Sequence, residues 1–266
     1  MTLFIIYFII YSFLGWIVES VYCAVIDKVW VNRGFLNGPV CPVYGVGSIA
    51  VIMLLSPFKN DIVVLFLISV IITTVVEYVT AVILEKLFNL KWWDYSTYKF
   101  NYKGRVCLLN STLFGIGSVI LVKLVQPILG EFIIKIPENY QIVLASIFSL
   151  ILIVDLIITM LSLINMKQVI DRICTIKDEF KVLEITADKF TETEFKKSFD
   201  KLKEKVELLE SKNKLDEFYS KIKELKEHSM VQKRILRAFP NVKSLKYGKS
   251  FKDIKINLFE YWNRKK

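Results

Sequence analysis

The sequence predicts an all-α membrane protein: a polytopic bundle of about five transmembrane helices over residues 1–165, then a charged, cytoplasmic, helical and coiled-coil tail over residues 166–266. Three observations carry this. The chain has 266 residues, is 54% hydrophobic and has a mean hydropathy of +0.45, more apolar surface than one soluble core of that length buries. Charge is divided unevenly, with ten Lys/Arg and nine Asp/Glu in residues 1–165 but 26 and 17 in residues 166–266. Five apolar stretches approach the roughly 20 residues that a helix needs to cross hydrocarbon.

Those stretches are residues 3–26, 39–55, 62–85, 106–129 and 142–165. The first is read as a retained helix rather than a signal peptide. It lacks a basic leading region, and Glu19 interrupts its apolar run. The second is short and holds Pro39, Pro42, Gly45 and Gly47, which predict an irregular start. Irregular backbone is tolerated at membrane depth only where protein or water covers it. Lys28 and Arg33 follow the first stretch, and Lys91, Lys99, Lys103 and Arg105 follow the third. The loops after the second and fourth hold only Lys59 and Lys135. Five crossings put the basic loops and the basic tail on one side, which the positive-inside rule makes the cytoplasm. The N-terminus is then outside.

In the tail, Val169, Ile173, Ile176, Phe180, Leu183, Ala187 and Phe190 step by four and three, as in a coiled-coil seam. Thr191-Glu192-Thr193-Glu194 resembles a capping box that opens a second helix. A third stripe follows at Leu215, Phe218, Ile222 and Leu225. The excess positive charge lies in residues 228–266, where basic and apolar side chains alternate. That polybasic end suits anionic lipid headgroups of the adjoining leaflet. Nucleic acid is the other polyanion, and the tether to a bilayer disfavours it.

Ionisable residues inside spans point to partners or function. Glu19 and Glu77 lie about 22–24 Å from the outer ends, at about 1.5 Å per residue, and Glu85 lies further in. Arg33, Asp94 and Arg105 arrive from loops on the same side, so six charged groups are expected at one level, beside Asn32. This cluster either lines a polar cavity open to the cytoplasm or staples the helices together. Asp155 is expected near mid-membrane with no mate at its depth. Trp92 and Trp93 suit an interfacial aromatic belt. The only histidine is His228, in the tail, which excludes a His-rich metal site or a His-dependent triad from the membrane region. No metal or cofactor is expected. Cys23, Cys41, Cys107 and Cys174 show no CxxC pair or disulfide framework.

Several blocks resemble one family. The first is Gly15-Trp16-Ile17-x-Glu19, followed by Asn32-Arg33-Gly34-Phe35-Leu36-x-Gly38-Pro39-x-Cys41-Pro42-x-Tyr44-Gly45. Glu77-Tyr78, Leu84-Glu85-Lys86-Leu87-Phe88 and Trp92-Trp93-Asp94-Tyr95-Ser96 come next, then Phe100-Asn101-x-x-Gly104-Arg105-x-Cys107-Leu108. Together they resemble the CmpB-like family of ABC-transporter permeases, over roughly residues 10–120. Arg237-Ala238-Phe239-Pro240 with Lys243-Ser244 also looks like part of such proteins. The resemblance implies a bacterial multi-pass protein of the plasma membrane with a transport role and no enzymatic activity of its own. The chain has no phosphate-binding Walker loop, so the resemblance implies a separate ATPase subunit. A homodimer is expected, since five spans are few for a pore. The alternatives are a membrane-anchored scaffold or regulator acting through its tail, and an intramembrane enzyme acting on lipid with Asp94, Glu77 or Cys41.

Overall fold

The computed structural model describes residues 2–28, 30–187, 220 and 230–248. The chain separates into two compact units. One comprises Met1–Leu161 with Lys233–Leu245, the other Ser162–Gln232 with Lys246–Lys266.

In the first unit α1 (Thr2–Asp27), α2 (Pro42–Leu55) and α3 (Ile62–Phe88) follow in order. Two-residue strands β1 (Leu90–Lys91), β2 (Asn101–Tyr102) and β3 (Val106–Cys107) fill the loop before α4 (Leu108–Ile120). A π-helical turn over Leu121–Val125 joins α4 to α5 (Gln126–Ile134) as one apolar rod. α6 (Glu138–Ala187) runs for 50 residues. Among the described residues, four helical stretches are long and apolar enough to cross a membrane: Thr2–Val25, Ile62–Phe88, Leu108–Ile134 and Glu138–Thr175. The protein is therefore a multi-pass membrane protein.

Asp61 starts α3 by accepting hydrogen bonds from the Val63 and Val64 amides (3.0 and 3.1 Å), two of the N–H groups that a helix start leaves unpaired. Asn89 ends α3 in the left-handed conformation (φ 54°) and donates its amide to Glu85, which turns the chain into β1. α3 and α4 meet closely at Gly115, where a Cβ would lie 2.4 Å from Val70 Cγ2.

The helix of the second expected span starts later and is shorter than expected. α2 has only 14 residues and begins at Pro42 rather than residue 39. Even with the 3₁₀ turn that follows, it forms a shorter apolar helix, Pro42–Phe58. The reason lies in residues 30–41, which are non-helical. The Cys41 amide donates to the Ser12 carbonyl (2.8 Å), and Ser12 is about 15 Å along α1 at 1.5 Å per residue. The chain thus re-enters the bundle before α2 begins, and Pro42 fits the first helical turn because no N–H is needed there. α2 then packs tightly on α1. A Cβ on Gly15 would stand 2.2 Å from Tyr44 Cβ, and one on Gly45 would stand 2.3 Å from Ser12 Oγ. Protein covers the re-entrant backbone, as such a segment requires: Leu36 and Cys41 are buried.

The first unit is completed from far along the chain. α7 (Met230–Ala238) leads into Phe239, and β4 (Lys243–Ser244) pairs antiparallel with β1, Leu90 opposite Ser244 and Lys91 opposite Lys243. Leu245 donates its amide to the Asn89 carbonyl (2.9 Å), an acceptor that the end of α3 leaves open.

In the second unit, α6 passes through residue 165 without a break. Leu163, Met166, Ile170, Ile173 and Cys174 are buried along it, and Gln232 donates to the Ser162 carbonyl (3.0 Å). The side chains that would continue the expected seam from Ile176, and the helices expected between residues 191 and 227, lie outside the described residues.

Candidate functional site

The expected charge cluster is present in the first unit, as a set of separate pairs rather than one pool. On α1, Glu19 accepts from the Tyr44 hydroxyl (2.7 Å) and pairs with Arg33 Nε (3.5 Å). On α3, Glu85 takes two hydrogen bonds from Arg105, at 2.8 Å from Nε and 2.6 Å from Nη2. Both end on one oxygen, a strong charge-assisted contact. Arg105 also bonds the Tyr78 hydroxyl (3.1 Å) and lies over its ring. Asp94 receives Lys91 on one oxygen (2.8 Å) and Lys243 on the other (2.7 Å). Burial opposes ionisation of Asp94, but hydrogen bonds from Lys243, Lys91 and Ser96 outweigh it and hold the carboxyl well below the usual carboxylate range.

Asp155 is not isolated, which corrects the expectation. It lies about 26 Å along α6 from Glu138, at 1.5 Å per residue, the same depth as Glu19 along α1. Two of its four mates are backbone amides of the re-entrant loop. Oδ1 accepts from the Asn37 amide and side chain (both 3.0 Å), and Oδ2 from the Gly38 amide (2.7 Å). Thr159 adds a longer bond (3.3 Å). A Cβ on Gly38 would lie 3.1 Å from Oδ2, so this approach suits glycine.

The loop is held from its other side by Arg234 of α7. Arg234 donates to the Gly34 carbonyl (2.8 Å), the Phe35 carbonyl (3.0 Å) and Asn37 Oδ1 (3.2 Å). Burial pulls the guanidinium down from its ordinary value, and Asp155 acts in the opposite direction. Arg33 bonds the Ala238 carbonyl and stands 4.9 Å from the centroid of the Phe239 ring, a cation–π arrangement. Phe239 in turn meets Trp92 edge-on (5.1 Å), and Trp92 packs against Phe35 and Phe88. Trp92 is therefore a core residue here rather than a surface anchor.

The remaining motif residues shape this assembly. Asn32 accepts from the Trp16 indole (2.7 Å) and donates to the Asn37 carbonyl (2.8 Å). Trp93 donates to the Arg105 carbonyl (2.8 Å). Asn101 accepts from the Gly104 amide (3.0 Å). Gly104 sits at φ +67°, and a Cβ there would fall 2.6 Å from both Asp94 Oδ1 and Lys91 Nζ, so no other residue fits. Cys41 and Cys107 are free and buried at the starts of α2 and α4.

Glu77 differs from the other acids. Its Oε1 accepts from the Tyr95 hydroxyl (3.2 Å), while Oε2 is buried with no hydrogen-bond partner.

With this geometry in view, comparison with protein families is decisive. Residues 6–160 match the family described as "Putative ABC-transporter type IV", CmpB-like. The chain belongs to this family. A comparison with curated proteins and one with solved structures give no match. The family match covers the re-entrant loop, the strand-containing loop and Asp155 but ends before Arg234 and Lys243. Sequence reasoning placed those two basic residues in the polybasic end suited to lipid headgroups, and assigned no role to Asn37. The acceptors of Arg234 and Lys243 are two carbonyls, the Asn37 amide oxygen and the Asp94 carboxylate, all distant in sequence.

Proposed function

We propose that this ABC-transporter family member is the membrane component of a transport system in a bacterial plasma membrane, working with a separate ATPase subunit. Its polar assembly faces the cytoplasm, as the basic loops before α2 and α4 favour. The observation that carries the reading is the union of three distant segments, residues 30–41, 89–107 and 233–245, into one network at the ends of the helices. The re-entrant loop is gripped by Asp155 on one side and by Arg234 on the other. A push on residues 233–245 therefore acts on backbone that reaches the Ser12 level of α1. Coupling an ATPase to a membrane path needs such a mechanical link. The network pairs its charges at Glu19, Glu85 and Asp94, and Glu77 keeps one carboxylate oxygen without a partner.

The test is purification of the full chain from its native membrane in a mild detergent. Vanadate-sensitive ATP hydrolysis should accompany it, because the chain has no nucleotide-binding loop of its own, and Arg234→Ala should reduce that hydrolysis. A single cysteine at exposed Phe100 should react with impermeant reagent only from the cytoplasmic side. Absence of any associated hydrolysis, or labelling from outside, would overturn the reading.

A further inference from the structure

Glu77 is the acid that the network leaves unsatisfied. It is 8% exposed, and its Oε2 has no partner. The nearby basic residues are engaged elsewhere: Arg33 with Glu19, Arg105 with Glu85, Lys91 and Lys243 with Asp94, Arg234 with the re-entrant loop. Among the described residues no cation pairs with Glu77. Glu19 lies close enough to act on it electrostatically, and the positive charge of Arg33 is taken by Glu19. Two tyrosines line the same place. Tyr44 donates to Glu19, and Tyr95 donates to Glu77. Having donated, each phenol oxygen keeps lone pairs for a ligand. The charged and titratable groups that meet there are Glu19 from α1, Tyr44 from α2, and Arg33, Cys41 and Tyr95 from the loops. α4 carries no ionisable side chain. A buried carboxylate without a counter-charge is strongly disfavoured, and here one positive charge is missing.

We propose that the buried cluster of Glu19, Glu77, Tyr44 and Tyr95 binds one monovalent cation at Glu77 Oε2, either a proton or an alkali metal ion. The site stands on its own geometry and needs no ATPase partner, so its failure would leave the transport reading intact.

The experiment follows thermal unfolding of the full chain in nanodiscs, for wild type, Glu77→Gln and the exposed-site control Glu131→Gln. One series exchanges N-methylglucamine chloride for sodium or potassium chloride at fixed ionic strength. The other runs from pH 5.5 to 8.5. An alkali-ion site gives a saturable rise in melting temperature in wild type and Glu131→Gln that Glu77→Gln loses. A proton site gives no alkali response. Instead the unfolding equilibrium of wild type departs from that of Glu77→Gln by up to roughly tenfold per pH unit over part of the range. Equal responses of wild type and Glu77→Gln in both series would overturn the proposal. Should Glu77→Gln fail to fold, Tyr95→Phe takes its place. It keeps the ring, removes the donor to Glu77, and must weaken the ion response or displace the pH response. A Tyr95→Phe protein that matches wild type in both series would overturn the proposal equally.

Discussion

Replacing Arg234 by alanine removes three hydrogen bonds at once, to the Gly34 and Phe35 carbonyls and to Asn37 Oδ1. Charge-assisted bonds contribute about 1.5–3 kcal/mol each. Three on one guanidinium are not additive, and burying the charge offsets part of the gain. A net loss of about 3–5 kcal/mol is expected, the scale for breaking a buried charged contact. The effect is local, because residues 233–245 still hold through β4 and Phe239. Hydrogen–deuterium exchange of the full chain in nanodiscs reads it directly. Amides in residues 32–41 and 233–245 should exchange roughly a hundred- to several-thousand-fold faster in Arg234→Ala, at about 1.4 kcal/mol per tenfold. Amides in α3 should change little. Arg234→Lys keeps the charge but not the planar fork, and should fall between. Exchange in both segments within threefold of wild type would refute the claim that Arg234 holds the loop.

Two other outcomes follow from local geometry. Gly45→Ala should destabilise the α1–α2 contact by about 2 kcal/mol or more, because the new Cβ meets Ser12 Oγ and the Phe8 carbonyl at 2.3 and 2.7 Å; Gly117→Ala, with nothing within 4 Å, should be neutral or slightly stabilising in the same melting assay. Asp94 has a folded-state pKa below its unfolded value of about 3.9, so its contribution is fully present above that value and is lost as pH falls through the folded one. Amide protection at residues 243–245 should therefore hold from pH 7 to 5 and weaken only below about pH 4, whereas Asp94→Asn should lower it across the whole range.

The long helices were legible because an unbroken apolar run has few other uses. α1, α3, the α4–α5 rod and α6 each follow such a run. The irregular start of α2 was legible in Pro39, Pro42, Gly45 and Gly47, but its position depends on the backbone bond from Cys41 to Ser12, which no side chain reveals. The partners of Arg33 and Asp94 were anticipated as a need, since a charge near apolar helices seeks a counter-charge. Asp155 looked isolated because two of its four partners are main-chain amides, which every residue carries, and a third is the neutral Asn37 side chain, which no search for a counter-charge reveals. The same applies to Arg234, whose acceptors include two carbonyls. Alternation of basic and apolar residues after position 228 pointed to lipid headgroups. Composition alone cannot separate a basic residue aimed at phosphate from one aimed at a carboxylate, and Lys243 reaches Asp94 of its own chain.

The most direct test of the account is a register-specific cross-link between β1 and β4 in native membranes. In a cysteine-free background, Lys91→Cys with Lys243→Cys, or Leu90→Cys with Ser244→Cys, places the two thiols on paired residues. Mild oxidation of membranes should close an intramolecular disulfide in at least one of these pairs, and none in Lys59→Cys with Lys243→Cys. If neither register pair closes, or if all three close alike, residues 233–245 are not built into the membrane unit, and the link from this segment to the re-entrant loop fails with them.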